Sequence, residues 1–202
     1  MLVAISGSQG SGKSTILKAL EDKGFKCTSR KTSRSILTDW GVSLQDVNDD
    51  FELTLKFQDE IIKRKFQDEK HALQSRDIWF TERTYADLFT YALVTLGKDN
   101  RYTDYLREYY NQCMRLQQSY DLVYYLKAGH FTIENDGVRG AGEHYSRMVD
   151  LVMSDFTEQM THSNVLTKID TPSLDQRIAI ISTQARGVYN RHHNTETRND
   201  GK

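Results

Sequence analysis

One octapeptide, Gly7-Ser8-Gln9-Gly10-Ser11-Gly12-Lys13-Ser14, constrains this chain more than any other feature. It meets the phosphate-binding pattern G-x-x-x-x-G-K-[ST] at every fixed position. Its flanks agree with it. Leu2-Val3-Ala4-Ile5 is a short apolar run that reads as a buried strand. Thr15-Ile16-Leu17-Lys18-Ala19-Leu20 continues as a helix with Ile16, Leu17 and Leu20 on one side. The glycines let the backbone curl so that successive N–H groups point at phosphate oxygens. The helix N-terminus adds partial positive charge. Gly7 to Thr15 are therefore the expected triphosphate-binding residues. Lys13 is expected to reach the β- and γ-phosphates, and the Ser14 hydroxyl to hold Mg2+. The motif specifies a nucleoside triphosphate and is silent on what receives the phosphate.

A chain of 202 residues is enough for one α/β domain with a substantial core. We expect that domain over residues 1–186 and a polar, flexible tail over 187–202. The apolar runs are too short to span a bilayer, and a chain entering directly into a strand argues against a cleaved leader. Cys27 and Cys113 lie far apart without metal-ligand spacing, so they read as reduced thiols of a cytoplasmic protein. The formal net charge of −1 provides no global field for nucleic acid, leaving only local basic patches for such contact.

Strand and helix alternate along the chain. Strands are expected at 25–28, 78–80, 122–126 and 165–169 besides the first. Helices are expected at 84–96, 101–120, 144–160 and 174–184, with one long helix or a broken pair over 43–72. Phe51, Leu55, Ile62 and Phe66 give that last segment an apolar stripe. Such alternation implies a five-stranded parallel sheet with helices on both faces, binding its ligand at the carboxyl ends of the strands.

Candidate chemistry falls at those strand ends. Glu82 and Arg83 follow the third strand. Glu82 is a candidate general base or Mg2+ ligand, Arg83 a phosphate contact, and Asp87 an acceptor contact one turn further on. After strand four, 130–142 contains three glycines around Arg139. A glycine-hinged loop carrying an arginine is what a lid over phosphates requires. Ser29-Arg30-Lys31-Thr32-Ser33-Arg34 reads as a loop after strand two. There Arg30 and Arg34 could grip an acceptor phosphate, of a mononucleotide or of a polymer backbone. The tyrosines from 102 to 125 read as core, and Lys63-Arg64-Lys65 as helical ion pairing with Glu60, Asp68 and Glu69.

With these segments the chain resembles the small P-loop kinases of the thymidylate-kinase and deoxynucleoside-kinase group. The resemblance covers about residues 1–185. It rests on Gly7–Ser14, on Glu82-Arg83-Thr84, which is similar to the Glu-Arg-Ser segment of deoxynucleoside kinases, and on Asp136-Gly137-Val138-Arg139, which is similar to the lid of small viral and bacterial P-loop kinases. No Asp-Arg-Tyr segment follows strand three, and no Arg-Glu-Pro segment follows strand two. The chain therefore does not resemble a housekeeping thymidylate kinase. Phage-type kinases are the nearer likeness, above all those that phosphorylate 5-hydroxymethyluracil in DNA. That resemblance implies a P-loop kinase fold with a lid, ATP and Mg2+ as cofactors, and 5-phosphomethyl-deoxyuridine as a product on the way to hypermodified thymidine. It also implies the host cytoplasm as location if the source is viral, and homodimers as a common state of relatives.

Two alternatives stand beside it. One is a deoxynucleoside monophosphate kinase acting on a free pyrimidine deoxynucleotide. The other is a P-loop ATPase switch. A GTPase would carry Asn-Lys-x-Asp; Thr167-Lys168-Ile169-Asp170 keeps only Lys and Asp.

Overall fold

The computed structural model describes residues 1–28, 33–130 and 143–199, with side chains of Glu143 and 193–199 left aside. Five parallel strands form one sheet in the order β2-β3-β1-β4-β5. They are β1 (Leu2–Ser6), β2 (Lys26–Cys27), β3 (Trp79–Glu82), β4 (Leu122–Leu126) and β5 (Leu166–Ile169). The helices are α1 (Lys13–Asp22), α2 (Ser33–Trp40), α3 (Leu44–Asp49), α4 (Phe51–Gln74), α5 (Tyr85–Leu96), α6 (Thr103–Gln117), α7 (Glu143–Met160) and α8 (Leu174–Asn199). This is the expected α/β P-loop kinase fold.

Strand β1 is central and buried along its whole length. Its alternating side chains feed two cores. Leu2 and Ala4 join Ile62 of α4, Tyr85, Ala86, Phe89 and Ala92 of α5, and Leu106, Tyr109 and Cys113 of α6. Val3 and Ile5 join Ile16, Leu17 and Leu20 of α1 and Ile178, Ile181 and Ala185 of α8. Each fully buried branched side chain contributes about 1.5–3 kcal/mol. A sheet buried on both faces explains why the strands read as continuous apolar runs.

The structure resolves the 43–72 segment into α3 and α4, broken at Asp50. Asp50 has extended backbone, and its carboxylate accepts the Leu53 N–H at 2.9 Å. Of the apolar stripe, Ile62 is buried and Phe51 and Leu55 pack on the core, whereas Phe66 is 41% exposed and Phe57 is buried in its stead. Tyr102, Tyr109, Tyr120, Tyr124 and Tyr125 are all buried, as a core role requires.

Three expectations need correction. Residues 33–40 form α2 instead of a loop, which puts Arg34 in a helix. Glu82 is the last residue of β3 and does not follow it. Helix α8 runs on to Asn199 and does not end at 184; the polar composition concealed this because an exposed helix needs no apolar run. Among the described residues no helix is long and apolar enough to cross a membrane.

Candidate active site

The phosphate loop leaves the carboxyl end of β1 and enters α1. Its glycines occupy the conformations expected of them: φ is +140° at Gly7, +77° at Gly10 and +91° at Gly12. At Gly7 a side chain is also excluded by space. A Cβ there would lie 2.6 Å from the Leu126 carbonyl oxygen and 2.7 Å from Ser11 Oγ. Lys13 is 6% exposed, and its ammonium donates to the carbonyls of Gly7 (2.7 Å) and Ser8 (2.8 Å). Burial, and then the nearby Arg83 guanidinium, lower its pKa to about 8, against the opposing pull of Asp87, Glu82 and Asp150.

The neighbouring strand end brings Glu82 to this loop. Ser14 Oγ donates to its two carboxylate oxygens at 3.3 and 3.4 Å. A hydroxyl and a carboxylate side by side are an oxygen donor set that fits Mg2+, which takes one or two protein ligands plus phosphates and water. Among the described residues no group of three or more His, Cys, Asp and Glu could hold a metal ion by itself. Ser14 and Glu82 could hold Mg2+ together with phosphate oxygens and water.

Arg83 has φ +68°, the one non-glycine positive φ among the described residues. Left-handed backbone costs an ordinary residue about 1–2 kcal/mol. Its guanidinium lies 4.8 Å from the centre of the Tyr91 ring, and its Nη1 is buried without a hydrogen-bond partner. A buried cationic nitrogen with an unmet hydrogen bond suits a phosphate oxygen.

Asp87 lies deeper. It is 0% exposed, and its Oδ1 accepts from Ser6 Oγ (2.5 Å) and Thr84 Oγ1 (2.6 Å). Thr84 in turn caps α5 by accepting the Asp87 N–H at 3.1 Å. Through Oδ1 the carboxylate braces β1 against α5, it adds negative charge near Lys13, and its Oδ2 is buried without a hydrogen-bond partner. Arg34 sits exposed in the first turn of α2, beyond the carboxyl end of β2. Arg30, Arg139 and residues 131–142 of the loop expected to act as a lid lie outside the described residues.

Two contacts with the loop had no sequence signal. Asp150 of α7 accepts from Ser8 Oγ at 2.8 Å and from the Tyr125 hydroxyl at 2.8 Å. Arg177 of α8, 1% exposed, donates to the Ser11 carbonyl at 2.6 Å and to the Thr171 carbonyl at 2.5 Å. Tyr125 alone was within reach of a rule, since it sits near the carboxyl end of a central strand.

A parallel sheet with a glycine loop at its central strand, a lysine inside the loop and a Ser–Glu pair beside it defines a P-loop nucleotide-binding protein. The family model described as AAA domain matches residues 2–177, and the chain belongs to that family. No curated protein matches it. Among solved structures it is similar to the deoxyadenosine kinase from M. mycoides with the products dCMP and a flexible dCDP bound, at 20% identity and TM-score 0.69, over 93% of this chain and 100% of that one. The same enzyme with bound dATP gives 20% identity and TM-score 0.67, over 92% and 100%. NadR in complex with NR is similar at 12% identity and TM-score 0.65, over 84% of this chain and 45% of that one. At such identities the likeness is one of fold.

Proposed function

We propose that this protein is an ATP- and magnesium-dependent kinase that transfers the γ-phosphoryl to a hydroxyl of a pyrimidine deoxynucleotide. The proposed acceptor is the hydroxymethyl group of 5-hydroxymethyluracil in DNA. The observation that carries the kinase reading is the Ser14–Glu82 pair, 3.3 Å apart at the mouth of the phosphate loop. The acceptor is carried by the sequence resemblance of the Thr81–Phe89 segment and of the Arg30–Arg34 segment to phage-type kinases that act on DNA.

In this reading the loop N–H groups bind the triphosphate, and Lys13 turns from the Gly7 and Ser8 carbonyls to the β- and γ-oxygens. Mg2+ would neutralise charge between those phosphates. Glu82 accepts the proton of the acceptor hydroxyl. The hydroxyl oxygen forms a bond to Pγ, the bridging bond from Pγ to the β-phosphate oxygen breaks, and ADP leaves. Arg83, and Arg139 from the lid, balance the charge that moves. Arg30 and Arg34 hold an acceptor phosphate, and a base in a duplex must flip to reach Glu82.

A second reading has its own support. The similar deoxyadenosine kinase structures contain dCMP, dCDP and dATP, so a small free acceptor is compatible with this fold.

The test supplies γ-labelled ATP with Mg2+ and, separately, deoxynucleosides, deoxynucleoside monophosphates, thymine DNA and DNA containing 5-hydroxymethyluracil. Label in the hydroxymethylated DNA alone supports the first reading, and label in a free nucleoside or nucleotide supports the second. ATP turnover that is equal with and without every acceptor would replace both with an ATPase switch.

A further inference from the structure

Helix α4 carries a charged pair into the interior. Lys65 and Glu69 are one turn apart, with their side chains 10% and 1% exposed, and Lys65 Nζ lies 2.7 Å from Glu69 Oε1. The Glu69 carboxylate also accepts from the hydroxyls of Tyr85 (2.7 Å) and Tyr120 (3.1 Å). The Lys65 ammonium lies 5.5 and 5.9 Å from the centres of those two rings. A surface pair of this spacing would be unremarkable. A buried one is costly to desolvate and is seldom worth more than the apolar residues that could replace it.

Its second set of contacts gives it a task. Lys65 Nζ donates to the Glu82 backbone carbonyl at 3.1 Å and to Thr81 Oγ1 at 3.3 Å. The geometry of the sheet explains why that carbonyl needs a donor. The Arg83 N–H points to β1 and binds the Ile5 carbonyl at 2.9 Å. Across a trans peptide the Glu82 carbonyl must point the other way, toward β2. Strand β2 ends at Cys27, and the Thr28 N–H is already given to the Phe80 carbonyl at 2.8 Å. Among the described residues the donor to the Glu82 carbonyl is Lys65. Directly beyond lies Arg83 at φ +68°, a conformation that persists only where its surroundings impose it.

We infer that Lys65, held by Glu69, is a positioning residue that locks the Glu82–Arg83 turn and so aims the Glu82 carboxylate at Ser14. Both ends of the turn are then fixed, by Ile5 on the β1 side and by Lys65 on the β2 side. The Tyr85 and Tyr120 hydroxyls hold Glu69, which holds Lys65, so the chain of contacts ends in the packed core under α5. The inference rests on the proposed role of Glu82 beside Mg2+ and the γ-phosphate.

The experiment measures the affinity of the full chain for AMP-PNP by calorimetry, once with Mg2+ and once with EDTA, together with the melting temperature. Lys65→Met alone strands a charged Glu69 and is expected to lower the melting temperature. The Lys65→Met/Glu69→Leu double variant removes both charges at similar volume and is expected to fold. In that folded double variant we expect the metal-free affinity to stay within about twofold of wild type and the gain from Mg2+ to fall about tenfold. Glu82→Gln is the companion measurement and is expected to lose the gain equally. A folded double variant that keeps the full gain while Glu82→Gln loses it overturns the role of Lys65 and leaves the role of Glu82 standing. Retention of the gain in Glu82→Gln overturns both.

Discussion

Ser8 of the phosphate loop donates to the carboxylate of Asp150, 142 residues later in the chain, at 2.8 Å. The same oxygen accepts the Tyr125 hydroxyl, so β4, α7 and the loop meet at one atom. Helix α7 follows residues 131–142 directly, and this contact ties the helix to the phosphate loop. It also places a negative charge where a triphosphate would come. Asn at 150 keeps an acceptor for both hydroxyls but removes that charge. Asp150→Asn is therefore expected to tighten ATP binding by about three- to tenfold at low salt. Calorimetric affinities of the two proteins check this, and weaker binding by the variant would contradict it.

Gly7→Ala should damage the loop itself. The new methyl would meet the Leu126 carbonyl oxygen at 2.6 Å with φ at +140°. The expected loss of stability is about 1–3 kcal/mol, read by denaturant unfolding, with ATP binding lost as well.

Lys13 links binding to protons. Burial holds its pKa at about 8, so above that pH the free protein carries it mostly neutral. A triphosphate favours the ammonium form and draws a proton onto it. At pH 8.5 wild type should take up part of one proton on binding ATP, whereas at pH 6.5 it should take up none through this group. Calorimetry in buffers of different ionisation enthalpy measures the uptake. Lys13→Ala should abolish both the uptake and phosphoryl transfer; an unchanged uptake would assign the proton elsewhere.

Glu82→Gln should slow transfer to the acceptor identified by the labelling experiment by about a hundredfold or more if the carboxylate is the base. Single-turnover kinetics separates this from a change in ATP binding. Transfer at close to the wild-type rate would remove Glu82 from that role.

The loop, the alternation of strands and helices and the carboxyl-end location of Glu82 were legible because each is local. Gly7–Ser14 names its own backbone shape, and apolar runs between amphipathic helices announce a parallel sheet. The broken helix at Asp50 was left open by periodicity, because an aspartate reads equally as an exposed helical residue and as a cap. The burial of Asp87 was not legible, since an acid in the first turn of a helix is ordinary on a surface. Lys65 and Glu69 read as a solvated i,i+4 pair for the same reason: spacing is visible along a helix, but the side facing the core is not.

Composition and motif thus settled the class of ligand, since only a glycine-rich turn ending in Lys13 and Ser14 presents so many N–H groups to one anion. The distances across the molecule belong to packing. Ser14 meets Glu82 at 3.3 Å because β1 and β3 pair in register, Ile5 beside Glu82. Ser8 meets Asp150 because α7 packs against α5 and the end of β4. Lys65 meets the Glu82 carbonyl because its ammonium reaches from α4 to the end of β3. Such contacts join residues tens of positions apart, and their energies depend on burial that no local pattern records.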